Sequence, residues 1–182
     1  KLIVSAFPIL FLLVSFITIE AATVTQVGVG SKHSAYLKDD GTLWAMGKND
    51  FGQLGDGTQI NRTSSPVKIA SGVIALESGE FNTFYLLGDG SLMAVGNNQY
   101  GQLGDGTTTD RNSSVLIDSA VSSVSAGASQ MFYIKSDGTL WATGRNNYGQ
   151  LGDGTVTDRK SPVLIDNNVS FVSAGESHVM YI

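Results

Sequence analysis

Apolar positions along this chain follow two rhythms. Residues 1–22 hold sixteen apolar side chains, and Leu2–Ile19 carries no charge. From residue 23 onward, apolar residues come in short runs split by glycine, asparagine and aspartate. Met131-Phe132-Tyr133-Ile134, the turn Asp137-Gly138 and the run Thr139-Leu140-Trp141-Ala142 predict a β-hairpin. A loop rich in glycine and asparagine follows, from Gly144 to Gly154. Pro162–Ile165 and Val169–Val172 predict further short strands. No segment sustains a 3.6-residue apolar period, which disfavours a helical solenoid.

The second rhythm repeats. Gly52-Gln53-Leu54-Gly55-Asp56-Gly57 recurs as Gly101-Gln102-Leu103-Gly104-Asp105-Gly106 and Gly149-Gln150-Leu151-Gly152-Asp153-Gly154, at spacings of 49 and 48 residues. The turn Asp40-Gly41 recurs as Asp89-Gly90 and Asp137-Gly138, and Arg62 as Arg111 and Arg159. Val24, Val73, Val121 and Val169 each open a unit, and the extra residue of the first unit lies just after Arg62. The units are 23–72, 73–120, 121–168 and the opening of a fourth, 169–182. About four short strands in a unit of this length suit the blade of a β-propeller.

Residues 1–22 read as a separate segment. Lys1, the apolar stretch and the closing Ala21-Ala22 describe a signal peptide, and an uncleaved N-terminal membrane anchor is the alternative. Either places the rest of the chain outside the cytoplasm, so a secreted or extracytoplasmic location is expected.

Composition narrows the function classes. The 182 residues include 22 glycines and no cysteine, which excludes a disulfide framework and thiolate metal sites. A net charge of −5 argues against general nucleic-acid binding. The acidity is uneven: residues 73–120 sum to −5, residues 23–72 to +1 and residues 121–168 to zero.

The units Val24–Gly47 and the segments around Gly52, Gly101 and Gly149 resemble the regulator-of-chromosome-condensation repeat. The resemblance covers residues 24–182 and implies an all-β, seven-bladed propeller, of which this chain holds about three blades. The second copy departs from the pattern at Gly88-Asp89-Gly90-Ser91-Leu92-Met93, and has Ser114 where Pro66 and Pro162 stand in the others. The sequence is expected to be a fragment of a longer protein, and residues 23–182 alone are expected to be aggregation-prone through open strand edges.

Candidate chemistry is sparse. His33 and His178 share one unit position with Asn82 and Gln130, a slot that asks for a hydrogen-bonding side chain rather than a metal ligand. Asp56, Asp105 and Asp153, with Asn49, Asn98 and Asn147 nearby, would suit calcium, but their spacing matches no calcium loop and the Asp-Gly turn explains them. Arg62, Arg111 and Arg159 stand at a fixed distance from those aspartates, as a repeated ion pair would. Glu77 and Glu80 break the repeat and read as solvated surface. No cofactor is implied. Asn61, Asn112 and Asn168 open possible N-glycosylation sequons.

Positions that differ between copies are where recognition could be written. They are Lys48, Asn97 and Arg145 before the turn, and Gln59-Ile60, Thr108-Thr109 and Val156-Thr157 in the loops. Phe51, Tyr100 and Tyr148 form a repeated aromatic row suited to loop packing. The sequence therefore predicts an extracytoplasmic scaffold that binds a protein or cell-surface partner, with no catalysis of its own. A carbohydrate-binding or carbohydrate-active propeller is the alternative, although Asp137-Gly138-Thr139-Leu140-Trp141 differs in order from the sialidase box. Guanine-nucleotide exchange on a small GTPase, an activity the family resemblance brings, has no residue-level support in the repeat.

Overall fold

The computed structural model describes residues 22–182, which carry strands and loops and no helix. The leader or anchor expected over residues 1–22 lies, but for Ala22, outside the described residues. Among those described, no helix is long and apolar enough to cross a membrane.

Three four-stranded antiparallel meanders follow one another. The first blade is β1 (Val24–Val29), β2 (His33–Lys38), β3 (Leu43–Gly47) and β4 (Arg62–Ala70). The second is β5 (Val73–Ser78), β6 (Asn82–Leu87), β7 (Leu92–Gly96) and β8 (Arg111–Asp118). The third is β9 (Val121–Ala126), β10 (Gln130–Lys135), β11 (Leu140–Gly144) and β12 (Arg159–Asp166). The hairpin β13 (Val172–Ala174) and β14 (Val179–Tyr181) opens a fourth unit, and the ring is not closed. The strand expected over Val169–Val172 is regular only from Val172, although Phe171 already exchanges backbone bonds with Ile182 and the Val169 N–H donates to Gly138 O as Val73 and Val121 do to Gly41 O and Gly90 O.

Alternation along each middle strand explains why blades stack. In β2, Ala35 and Leu37 face one way, and Leu43 and Ala45 of β3 join them. These four pack with Leu54 against Val73, Leu76 and Tyr85 of the next blade. The second blade repeats this with Phe84, Leu86, Leu92 and Ala94 against Val121, Met131 and Tyr133. The apolar core is therefore not inside a blade but between blades, as face-to-face sheets require. Both faces of a middle strand are covered in the second and third blades, so β6 and β10 read as continuous apolar runs.

The extra residue of the first unit has a local home. Between the pairs Ala45↔Val67 and Gly47↔Arg62 the outer strand bulges, and it bulges one residue less between Ala94↔Val115 and Gly96↔Arg111. A one-residue insertion is absorbed at the outer edge without disturbing the core register.

Candidate functional site

The first-strand hairpins and the long loops after β3, β7 and β11 emerge at the same end of the blades. Each long loop is built around one asparagine and one aspartate. Asn49 Nδ2 donates to Asp56 Oδ1 and to the carbonyls of Thr58 and Ile60, while its Oδ1 accepts the Leu54 N–H at 2.9 Å. Asp56 Oδ1 also accepts the Thr58 N–H and hydroxyl, and Oδ2 accepts two donors from Arg62, at 2.8 and 2.6 Å. Asn98, Asp105 and Arg111 repeat the arrangement, as do Asn146, Asp153 and Arg159. The third asparagine is Asn146, not the Asn147 expected from sequence. The loop register counts three residues back from Gly149, and this leaves Asn147 exposed.

Each of these carboxylates accepts three hydrogen bonds on Oδ1 and an arginine on Oδ2. Burial alone would raise Asp153, but the Thr155 hydroxyl, Arg159, the Thr155 amide and Asn146 outweigh it and hold the carboxyl at about 2. The same balance lowers Asp56 and Asp105. The Asp side chains are almost fully covered, whereas the arginines keep about a third of their surface in water. The ion pairs are intra-blade, so the arginine row is consumed by its own loops.

The loop also clasps the following blade. The Gly57 N–H donates to Asn112 O and the Gly106 N–H to Lys160 O, both at 2.8 Å. Thr83 Oγ1 donates to Gln53 O, and Thr143 Oγ1 to Gly101 O. Gly52 (φ +79) shows why glycine is needed: a Cβ there would lie 2.4 Å from Asn112 Cα. At the inner edge, side chains of one blade complete the free backbone of the next. Gln26 both donates to Leu76 O and accepts the Leu76 N–H, and Ser125 Oγ accepts the Ala174 N–H.

Glu77 belongs to this inner ladder and not to solvated surface. Burial raises its carboxyl, and the Ala126 amide works against that shift. Sequence reading missed Gln26, Glu77 and Ser125, because their shared task is performed by unlike residues at two different strand positions. The His/Asn/Gln slot reaches backbone or a neighbouring blade as well. Asn82 Nδ2 donates to Asn97 O, and Gln130 Nε2 to the carbonyls of Gly175 and Glu176. His33 is buried with Nε2 at 3.2 Å from Thr83 Oγ1, and burial lowers its pKa to about 4, partly offset by a hydrogen bond to the Asn82 backbone. His178 is exposed.

The candidate recognition residues divide. Gln59, Ile60, Thr108, Thr109, Val156 and Thr157 are all exposed at loop tips. Lys48 is half-buried and ion-paired to Asp50 at 2.6 Å. Asn97 is not a surface residue: its Nδ2 donates to Asp110, its Oδ1 accepts from Gln102, and only 7% of it is exposed. Arg145 lies over the rings of Tyr100 and Tyr148, with 5.0 and 5.9 Å to the centroids. Tyr148 is exposed, so the aromatic row is only partly packed.

The sequon asparagines differ too. Asn112 Nδ2 donates to Gly57 O, and Asn61 Oδ1 accepts the Asn49 N–H, whereas Asn168 sits exposed in a turn with φ +60. The acidity of the second unit is partly offset, since Asp118 accepts from Lys135 and Tyr133 of the third blade. Among the described residues, no group of three acidic, histidine or cysteine side chains could hold a metal ion.

Two models of the Regulator of chromosome condensation (RCC1) repeat match the chain, one at residues 40–86 and 137–182, the other at 24–53, 73–102 and 121–150. No match was found among curated protein sequences. Human WBSCR16 is similar in structure, with a TM-score of 0.79 and 21% identity, over 88% of this chain and 45% of that one. Yeast RCC1 (Prp20), solved with Kap60 bound, gives 0.78 and 22%, over 91% and 42%. Prp20p from Saccharomyces cerevisiae, in a study of its binding to Gsp1p and histones, gives 0.74 and 23%, over 91% and 44%. The chain spans less than half the length of these propellers.

Proposed function

Because the chain belongs to the regulator of chromosome condensation repeat family, we propose that it is a protein-interaction scaffold, without chemistry of its own, that works outside the cytoplasm. One observation carries the reading. The repeated polar residues of the three loops are engaged inside the fold, while the residues that vary between copies, Gln59-Ile60, Thr108-Thr109 and Val156-Thr157, stand in water at one end of the blades. Invariant chemistry builds the frame and variable chemistry meets solvent, which is how a repeat protein separates stability from recognition. The yeast relative Prp20 is bound by Kap60, so a propeller of this fold can serve as a protein partner. The location rests on the uncharged apolar run Leu2–Ile19.

The test uses the full-length protein and a variant with alanine at all six loop-tip positions. A partner that co-purifies with the parent and is lost from a variant of equal Tm supports the reading. A partner held equally by both overturns it. Residence of the full-length protein in the cytosolic fraction overturns the location.

A further inference from the structure

A cleft of about 220 Å³ opens at the loop end of the second blade, and it is lined by aromatic and charged side chains from three blades. Phe51 and Phe81 form one wall, their centroids 5.2 Å apart and their planes tilted by 54°. Tyr100 and Arg145 also line it, with the Arg145 guanidinium carbon 5.0 Å from the Tyr100 centroid. The floor exists because Asn97 turns inward to Asp110 and Gln102, where the other two units carry a long cationic side chain.

Arg145 is unlike its counterpart. Lys48 of the first unit is neutralised by Asp50, two residues on. In the third unit that position is Asn147, and Arg145 takes part in none of the ion pairs among the described residues. Its side chain donates no hydrogen bond within them, and its guanidinium carbon lies over the rings of Tyr100 and Tyr148. A half-buried arginine whose N–H groups have no partner among the described residues can offer them to a planar two-oxygen acceptor. Glu80 lines the same cleft and has no cation within ion-pair distance among the described residues. The volume falls below the roughly 300 Å³ at which small-molecule sites begin. It suits one bulky side chain, as the anchor pockets at the centre of protein interfaces do.

We infer that this cleft is the anchor pocket for a partner protein's peptide segment in which a bulky apolar side chain adjoins a carboxylate. The apolar group enters between Phe81 and Tyr100, and the carboxylate meets the free edge of Arg145. Glu80 then favours a basic residue on the opposite flank. This deepens the scaffold reading and rests on it.

The test is a titration of full-length protein with fluorescent pentapeptides whose central residue is tryptophan or alanine and whose preceding residue is glutamate, glutamine or lysine. The tryptophan peptide preceded by glutamate should bind at least about tenfold more tightly than its lysine counterpart. Arg145→Gln should erase that preference, and Arg145→Lys, which cannot offer a two-pronged edge, should restore only part of it. Equal affinity for the glutamate and lysine peptides on the parent protein overturns the proposal without any variant. Binding of a laminarin oligosaccharide in the cleft, with no peptide binding, overturns it as well. If the natural partner is lost from the six-alanine loop variant but kept by Arg145→Gln, the pocket assignment fails and the scaffold reading stands. If both variants keep it, both fail.

Discussion

Acid should loosen this propeller through one histidine. His33 is 3% exposed, and its pKa falls from 6.5 to about 4 because burial disfavours the imidazolium. The unfolded chain therefore binds a proton between those two values that the native protein refuses. Linkage gives the sign: the contribution is complete above pH 6.5 and is lost as the pH falls toward 4. At about 1.4 kcal/mol per unit, the full window amounts to about 3 kcal/mol, and the drop to pH 5 to about 2 kcal/mol. For a unit of this size that is about 4–8 °C in Tm.

Other groups titrate nearby. Glu77, raised by burial, opposes the effect, because its protonation favours the native state as the pH falls. Asp56, Asp105 and Asp153 lose their contribution only below the ordinary carboxylate range. The informative comparison is therefore parent against His33→Asn, which installs the residue that Asn82 supplies at the same slot in the second blade. Thermal unfolding of the full-length protein is followed at pH 7 and pH 5. The parent should lose about 2–4 °C more than the variant, because the shift per kcal/mol falls as the chain lengthens. Losses matching to within about 1 °C would refute the idea that a buried neutral histidine governs this response.

Three further outcomes follow from the loops. Gly52→Ala should cost about 2 kcal/mol more than Gly57→Ala in urea unfolding, since both glycines have φ near +78 but only Gly52 would drive a Cβ into Asn112. Equal costs would show that the inter-blade approach is soft. Arg111→Gln should cost about 1–3 kcal/mol at pH 7, an amount reduced by the arginine's exposure, and the cost should shrink as the pH is taken below the ordinary carboxylate range and Asp105 is protonated. A cost that persists in acid would locate it in packing. In a host that glycosylates secreted chains, intact mass should show glycans at Asn168 and Asn61 and none at Asn112, whose Nδ2 is bound to Gly57 O; a glycan at Asn112 would mean that the clasp opens.

Much of the frame was legible because it repeats. Three copies of one glycine-rich string fixed the blade length, and the Asp-Gly turns fixed the hairpins. The ion pairs were legible for the same reason, because Arg62 and Asp56 keep their spacing in every copy. Residues defined by a neighbouring blade were not legible. Asn97 looked like a variable surface position, yet its small amide is drawn inward by Asp110, which is close in space through the loop's closure. Glu77 and Gln26 stand at different strand positions and share only the free backbone edge that each meets. Arg145 was visible as a difference between copies, but its lack of a carboxylate became meaningful only beside the Lys48–Asp50 pair.

The clasp runs one way. The loops of the first and second blades grip the outer strand of the blade that follows, through Gly57 on Asn112 and Gly106 on Lys160. The stack consequently has a polarity that no single blade possesses. Damage in one loop weakens the interface with the blade that follows, so a lesson in stability learned at Gly52 is a statement about the first and second blades together. Recognition written on a loop tip is likewise anchored by two units at once. A domain assembled in this manner can gain or lose units without redesigning any of them, provided that every newcomer offers a grip ahead and a strand behind.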